Sequence, residues 1–277
     1  MIVWILFILS ALTAAVLSVS FGYISNWFDI WKTALSFVCA FLAYNLLYVL
    51  YLYVIGLFID QAKPIAKQLN IYRRNCWNVG VLGCFYAGVK VHVSGREKLP
   101  EDERFLMVCN HRSMFDPLAV LSSLRRYNIS FVSKESNMKI PALGNVSYGA
   151  GFLGLNREDN RKALKSILTA AEYIKSGICS MLIYPEGTRS HSEEMGDFHA
   201  GSFKIAQKAS CPLVISCIRG SEKVGKNVLR RKSDVYIDIL EVIPADRVKQ
   251  MSTTELADHA KQLMKVKMVQ SGETVYA

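Results

Sequence analysis

Charged side chains are nearly absent from the first 60 residues of this 277-residue chain. Residues 1–28 and 33–59 contain none, and each stretch exceeds the roughly 20 residues that a helix needs to cross a bilayer. The segment between them mixes aromatic and charged side chains, as is typical of a headgroup boundary: Trp27, Phe28, Asp29, Trp31 and Lys32. This pattern predicts a membrane helical hairpin over residues 1–60. No Lys or Arg precedes the first apolar run, which argues against a cleaved signal peptide.

Several motifs that define other protein classes are also missing. The seven cysteines are scattered and include no C-x-x-C pair, which fits a reducing compartment better than a disulfide framework or a zinc site. No G-x-S-x-G elbow is present, so a serine hydrolase is disfavoured. No nucleic-acid-binding motif accompanies the basic charge, and we expect no nucleic-acid partner. Internal repeats and low-complexity segments are absent.

The positive charge lies in the rest of the chain. The whole chain carries a net charge of +10 and residues 1–60 carry −1, so residues 61–277 carry +11. A basic body behind an apolar leader indicates an anionic partner, such as phospholipid headgroups or a phosphorylated substrate. Four cations follow the second apolar run: Lys63, Lys67, Arg73 and Arg74. The positive-inside tendency then predicts a location at the cell membrane with the following domain facing the cytoplasm. Whether the hairpin spans both leaflets or enters one stays open.

Beyond the hairpin, short runs rich in Val, Ile and Phe alternate with helical patterns. We interpret residues 61–88 as an interfacial connector and residues 89–277 as an α/β domain. Such alternation predicts a mixed, largely parallel sheet flanked by helices. Predicted strands are 89–94, 104–109, 130–133, 151–155, 179–184, 212–218 and 234–242. Predicted helices are 117–126, 159–176, 202–209 and 253–268. We expect chemistry in the loops that follow strand ends.

Residues 108–117 read V-C-N-H-R-S-M-F-D-P and hold a His and an Asp five positions apart. On one continuous helix these side chains would point about 140° apart. We therefore predict a strand end that bends into a helix, with Asp116 at the N-cap and Pro117 in the first turn. His111 then suits a general base and Asp116 the partner that fixes its tautomer. The alternative is that Asp116 only caps the helix and His111 is a surface residue.

Two further segments carry arginines after predicted strands. Arg157 follows strand 151–155, where a guanidinium could hold a phosphate by two parallel hydrogen bonds, or simply lie on the surface. The turn after strand 179–184 reads Glu186, Gly187, Thr188 and Arg189. Gly187 permits close backbone approach, and Thr188 and Arg189 are natural anion ligands. Glu186 cannot bind a phosphate, so we expect it to orient an Arg or a substrate hydroxyl. Taken alone, this turn reads equally as an ordinary charged turn.

A cluster of basic residues precedes the last predicted strand: Lys223, Lys226, Arg230, Arg231 and Lys232. These side chains either contact headgroups or donor phosphates, or belong to a solvated loop. The other histidines have no evident partner in the sequence and are interpreted as structural or surface residues: His92, His191, His199 and His259.

Three of these segments, in order, resemble the glycerolipid acyltransferase family of phospholipid synthesis. They are N-H-R-S-M-F-D at 110–116, G-F-L-G-L-N-R at 151–157 and Y-P-E-G-T-R-S at 184–190. The likeness covers roughly residues 85–245 and is strongest to members that acylate 1-acyl-sn-glycerol 3-phosphate. It implies an α/β acyltransferase domain on a membrane anchor, with His111 as general base and Asp116 as its orienting partner. It also implies that Arg157 and the turn at 186–189 hold the acceptor lipid and its phosphate.

The resemblance further implies transfer of an acyl group from acyl-CoA or acyl-carrier protein to the sn-2 hydroxyl of lysophosphatidic acid, giving phosphatidic acid among membrane phospholipids. A thioester is already activated, so this reaction requires no covalent enzyme intermediate, metal or redox cofactor. The hydroxyl does require a base to take its proton. Three other interpretations remain open: a transferase for another lysophospholipid, a hydrolase that releases the acyl group to water, and a non-catalytic module that binds anionic membranes.

Overall fold

The structure, a computed structural model, describes residues 2–156, 158–189 and 195–272. Its helices are α1 (Ile2–Ser20), α2 (Ile30–Gly56), α3 (Asn70–Tyr86), α4 (Asp116–Ser123), α5 (Leu143–Gly149), α6 (Asn160–Lys175), α7 (Lys204–Ala209), α8 (Val224–Asn227), α9 (Ala245–Gln250) and α10 (Thr253–Gln270). Its strands are β1 (Val89–Ser94), β2 (Leu106–Cys109), β3 (Ile129–Lys134), β4 (Leu153–Leu155), β5 (Ser180–Ile183), β6 (Leu213–Arg219) and β7 (Ser233–Ile243).

Helices α1 and α2 pack side by side, and both are long and apolar enough to cross a membrane. Near their shared turn, the Ser18 and Thr33 hydroxyls lie 2.7 Å apart. Nearer the start of α1, the Phe7 ring meets the Phe41 ring with centroids 4.9 Å apart. The outward faces of both helices are exposed and apolar, as at Leu46, which is 70% exposed. The division into residues 1–60, 61–88 and 89–277 stays a prediction.

The seven strands form one sheet in the order β1-β7-β6-β2-β5-β3-β4. Five neighbouring pairs are parallel, and only β6 and β7 are antiparallel. Strands β1 and β7 therefore run together in one direction and the other five strands in the opposite direction. This confirms the predicted mixed, largely parallel sheet flanked by helices.

Two apolar layers cover the sheet because side chains along a strand alternate between its faces. Leu106 and Val108 of β2 pack against one layer, which contains residues of α6, α7 and α10. Met107 and Cys109 pack against the other, which contains residues of α3, α4 and α5. All four side chains are fully buried. Both faces of the central strand are thus covered, which explains its continuous apolar sequence.

Helix α5 was not among the predicted helices. Its sequence, L-G-N-V-S-Y-G, contains two glycines, which weaken a helix in isolation. Tertiary contacts explain both. A Cβ on Gly144 would lie 2.0 Å from the Met138 carbonyl oxygen, and one on Gly149 would lie 2.7 Å from the Tyr72 ring. Only glycine allows α5 to pack this closely, so packing overrides the weak helical propensity.

Candidate active site

The predicted site segments meet at one edge of the sheet. Strand β2 ends at Cys109 and its parallel neighbour β5 ends at Ile183, with Val108 paired to Ile183. The carboxyl ends of parallel strands lie at the same edge, so the loop holding His111 adjoins the turn at 184–189. Strand β6 flanks β2 on the other side and pairs Ser216 with Cys109.

The side chain of Asn110 fixes the start of the His111 loop. Its Nδ2 donates to the Ile218 carbonyl at 3.0 Å, and the Ile218 N–H donates to its Oδ1 at 2.8 Å. Asn110 is fully buried, so both bonds are shielded from water. Asn110 was not among the predicted site residues; its polar side chain directly after an apolar strand was the available signal.

His111 and Asp116 are brought together as predicted from the bend. His111 Nδ1 lies 2.8 Å from Asp116 Oδ2. The same oxygen accepts the backbone N–H groups of Arg112 at 2.7 Å and Ser113 at 2.8 Å. A carboxylate oxygen in that position accepts, so Nδ1 carries the hydrogen and Nε2 keeps a free lone pair. The buried carboxylate thus sets the tautomer that a base requires.

One detail of the prediction for Asp116 was wrong. The helix begins at Asp116 itself, and the residue before it, Phe115, occupies the N-cap position without a side-chain cap. The Asp116 carboxylate turns back towards Arg112 and Ser113 instead of capping the helix. The side chain therefore organises the loop that carries His111.

Glu186 holds two separate backbone segments at the site. Its Oε1 accepts the His111 backbone N–H at 2.7 Å, and its Oε2 accepts the Gly196 N–H at 2.9 Å. The side chain is only 6% exposed. We expected Glu186 to orient an Arg or a substrate hydroxyl, and that role stays a prediction. The observed bonds add a structural role, which connects the turn after β5 to the loop that carries His111 and to residue 196.

Glu186→Gln tests this structural role. A glutamine offers one oxygen, so one of the two backbone N–H groups would face an amide N–H and lose its acceptor. A buried donor without a partner costs about 1–3 kcal/mol, and we expect a lower thermal unfolding midpoint together with reduced activity. Glu101→Gln is the matched control, since Glu101 forms an exposed ion pair with Arg126 and should change stability little. Equal unfolding midpoints for the two variants would contradict this role.

Tyr184 stacks on the imidazole of His111. The ring centroids are 4.1 Å apart and the ring planes differ by 13°. The Tyr184 hydroxyl is buried and has no hydrogen-bond partner within the described part of the chain. Burial raises the pKa of Tyr184 well above its usual value, so the phenol stays neutral. The ring therefore restricts His111 by packing and adds no charge beside it.

A cleft of about 1500 Å³ contains His111 and the end of the β5 turn, Gly187, Thr188 and Arg189. Gly187 has a φ of +78°, a conformation that favours glycine. Apolar side chains of α2 and α3 form one wall: Leu46, Val49, Leu52, Val79 and Leu82. The cleft thus joins a polar end, where the imidazole lies, to an apolar wall formed by the long apolar helix α2.

Two cations of the cleft were missed by the sequence analysis. Lys134 ends β3 at the edge where the other site residues lie, and Lys139 follows it in the same rim. The signal available was the position of Lys134 directly after the predicted strand 130–133. Arg157, predicted as a phosphate ligand, lies outside the described residues. Its neighbour Asn156 lines the cleft and donates to Glu135 at 2.7 Å.

Two of the other histidines, interpreted as structural or surface residues, have partners that the sequence did not reveal. His92 Nε2 lies 2.7 Å from Asp234 Oδ1, and His259 Nε2 lies 2.8 Å from Glu241 Oε2. Both pairs are formed across neighbouring elements outside the cleft, which sequence spacing does not reveal. His191 lies outside the described residues. Over the described ranges, no group of three or more His, Cys, Asp or Glu side chains is arranged to hold a metal ion.

Comparison with known proteins gives a consistent set of similarities. Residues 90–219 match the sequence model of the acyltransferase family. The chain is 30% identical over 210 residues to a 1-acyl-sn-glycerol-3-phosphate acyltransferase of Chlamydomonas reinhardtii, covering 72% of this chain and 60% of that protein. It is 26% identical over 171 residues to the 1-acyl-sn-glycerol-3-phosphate acyltransferase of Escherichia coli K12, covering 61% and 69%.

Among solved structures, the 1-acyl-sn-glycerophosphate (LPA) acyltransferase PlsC of Thermotoga maritima is similar with a TM-score of 0.60. The superposition covers 85% of this chain and 99% of that one at 23% sequence identity, so it shows a shared fold. The chain spans between 45% and 60% of the length of three of the curated relatives that it matches.

Proposed function

We propose that this chain, whose residues 90–219 match the acyltransferase family model, moves an acyl group from a thioester to the sn-2 hydroxyl of 1-acyl-sn-glycerol 3-phosphate, giving phosphatidic acid. The observation that carries the proposal is the 2.8 Å contact between Nδ1 of His111, which lines the cleft, and Oδ2 of the buried Asp116 behind it. The similar proteins from Chlamydomonas reinhardtii and Escherichia coli are named for this acceptor.

His111 acts as the general base in this mechanism. Its Nε2 takes the proton of the sn-2 hydroxyl as the hydroxyl oxygen attacks the thioester carbonyl carbon. Asp116 stabilises the imidazolium that forms, because its charged oxygen already faces Nδ1. When the tetrahedral intermediate collapses, the C–S bond breaks and the imidazolium returns its proton to the leaving thiolate. No covalent bond to the enzyme forms, and His111 ends the cycle neutral.

The positive charges of the cleft suit binding of the acceptor's phosphate group, and its apolar wall suits binding of acyl chains. Lys134, Lys139 and Arg189 supply cations around the pocket that holds His111. A phosphate held by these side chains would orient the acceptor hydroxyl, and orientation alone contributes several kcal/mol to catalysis, on the order of 7–11 in favourable cases. Thr188 and the Gly187 backbone lie beside Arg189 and complete this end.

Helices α1 and α2 are proposed to anchor the enzyme in the cell membrane, with the α/β domain facing the cytoplasm. The exposed apolar faces of the two helices support this placement, because water does not favour so continuous an apolar surface. The cations that follow α2 support the orientation. Membrane phospholipids and lysophosphatidic acid would then reach the cleft along α2.

The direct test is an assay with purified protein, lysophosphatidic acid and labelled acyl-CoA or acyl-carrier protein. We expect labelled phosphatidic acid to form only when both substrates are present. A panel of lysophospholipids with other headgroups measures acceptor choice, and faster acylation of another acceptor would overturn the assignment. Release of free fatty acid without an acceptor, at a rate equal to transfer, would indicate a hydrolase instead.

Arg189→Ala should raise the KM for lysophosphatidic acid by about 10- to 100-fold, because a charge-assisted bond to phosphate is worth roughly 1.5–3 kcal/mol. We expect a smaller change in kcat, since Arg189 contacts the phosphate and not the reacting atoms. Arg126→Ala is the control, because Arg126 pairs with Glu101 on the surface and does not line the cleft. If both variants keep the original acceptor KM, the phosphate role of Arg189 is wrong.

A further inference from the structure

The connection between β6 and β7 combines cations with an unusually exposed leucine. We call residues 223–232 the basic turn; five of its ten residues are Lys or Arg. Leu229 is 98% exposed, the highest value among the large apolar side chains of the described chain. The ion pairs formed by the described residues involve none of these five cations. Apart from Arg231, which bonds to the Phe85 carbonyl, these cations are therefore available to an external anion.

The basic turn is held against α3, which in turn contacts the helical hairpin. Arg231 Nη2 donates to the Phe85 carbonyl at 3.1 Å, and its guanidinium carbon lies 5.4 Å from the centre of the Phe85 ring. The Phe85 ring in turn meets the ring of Phe7 in α1 edge-on, with centroids 5.9 Å apart. A Cβ on Gly88 would lie only 2.3 Å from the Arg231 backbone. The turn is thus packed on the end of α3 and linked to α1 through the Phe85 ring.

Its position also relates the basic turn to the cleft. It follows the carboxyl end of β6, at the edge of the sheet where His111 lies. Tyr86, next to Phe85, lines the cleft and hydrogen-bonds to Asn45 of α2. The turn, the hairpin and the cleft are therefore neighbours on one side of the molecule.

We propose that the basic turn is a second membrane contact, in which Leu229 enters the headgroup–acyl boundary of an anionic bilayer. Lys226, Arg230 and Lys232 then contact lipid phosphates around it. Cations flanking an exposed apolar side chain are the combination that binds such an interface. An acidic protein would satisfy the cations equally, but contact with α3, which packs on a hairpin proposed to lie in the bilayer, places lipid nearest to this surface. The inference rests on the membrane placement of α1 and α2 proposed above.

Site-specific labelling of the full-length protein tests this contact. Cys39 is the exposed thiol among the seven, and the other six are buried. Burial raises the pKa of both Cys76 and Cys211 to about 12, which keeps these thiols unreactive. Leu229→Cys in a Cys39→Ser background therefore accepts one environment-sensitive fluorophore. In vesicles of phosphatidylglycerol and phosphatidylcholine we expect a blue shift and quenching by a lipid-borne quencher.

Two reference labels separate the basic turn from the anchor. Native Cys39, in α2, reports the hairpin, and Asp102→Cys in the Cys39→Ser background reports the exposed amino end of β2. We expect quenching at positions 39 and 229 and none at 102. Quenching at 39 without quenching at 229 overturns the contact while leaving the anchor intact. Absence of quenching at both removes the anchor and this inference together.

The charge requirement is tested by replacing Lys226, Arg230 and Lys232 with Gln in the labelled protein. Each basic side chain near an anionic surface is worth about fivefold in binding, so quenching at 229 should fall strongly while an anchor label at 39 is unchanged. Undiminished quenching at 229 would overturn the role of the cations. If the emission of the fluorophore at 229 is unchanged by lipid vesicles but shifts when acyl-carrier protein is added, the basic turn is a protein-docking surface and the lipid contact is overturned.

Discussion

Replacing His111 with Ala should lower kcat for acyl transfer by about 10²- to 10⁴-fold, the range that general-base catalysis contributes. The sn-2 hydroxyl would lose its proton acceptor, while the thioester and the phosphate contacts would be unaffected. Acceptor KM should therefore change little. Steady-state rates with lysophosphatidic acid and an acyl thioester provide the measurement, together with an unfolding curve to verify that the variant is folded.

His92→Ala is the matched control for this variant. His92 also pairs with an aspartate, at 2.7 Å from Asp234, but it lies on β1 outside the cleft. Its removal should leave kcat within about twofold of the parent, because only a positioned base accelerates the reaction. Normal turnover by His111→Ala, or an equal loss in both variants, would defeat the proposed mechanism.

Asp116→Asn should lower kcat by up to about four orders of magnitude, although it leaves the size and shape of the side chain nearly unchanged. The asparagine oxygen can take the place of Oδ2 and still accept from Arg112, Ser113 and Nδ1. The tautomer is then retained, and what is lost is the negative charge that stabilises the imidazolium. The new NH₂ group would lie at Oδ1, which is buried and has no partner among the described residues. We therefore also expect a lower unfolding midpoint.

The double variant His111→Ala/Asp116→Asn distinguishes a shared catalytic role of the two residues from two independent losses of activity. If Asp116 acts through His111, Asp116→Asn should add little to the loss in a His111→Ala background, because residues that act as one unit are not additive. Asp234→Asn, which alters the exposed His92 pair, should be nearly neutral in both kcat and stability. Additive losses in the double variant would refute the pairing of Asp116 with His111 in catalysis.

The local sequence was sufficient to predict the strands and the start of α6, because their residues favour these structures without help from distant contacts. All seven predicted strands are present. Short, continuous apolar runs such as L-M-V-C in β2 are typical of strands that are buried on both faces, and β2 is fully buried. Asp159, at the predicted start of α6, caps the helix by accepting from the N–H groups of Arg161 and Lys162. Helix α5 was not predicted because its two glycines weaken a helix in isolation. They are required only by close packing against Met138 and Tyr72, which the local sequence does not show.

The parts of the site that sequence did not predict depend on long-range partners. Glu186 bonds to His111, 75 positions earlier, and Asn110 bonds to Ile218, 108 positions later. Asp116 was predicted as a helix cap because that is the usual role of Asp before Pro, but its carboxylate satisfies upstream N–H groups. Which of two acceptable local roles a polar side chain takes is decided by the fold around it.

Strands β1 and β7 run opposite to the other five strands, and this direction determines the distance between the proposed membrane anchor and His111. Because β1 runs against β2, its first residue, Val89, lies at the edge where His111 lies, and α3 and the hairpin join the sheet there. With β1 reversed, the chain would enter at the opposite edge, about 20 Å away for a six-residue strand. With α1 and α2 in the bilayer as proposed, an acceptor lipid would then have to leave the bilayer to reach His111. Under that proposed placement, the orientation of this edge strand would let the acyl tails stay in the bilayer during the reaction.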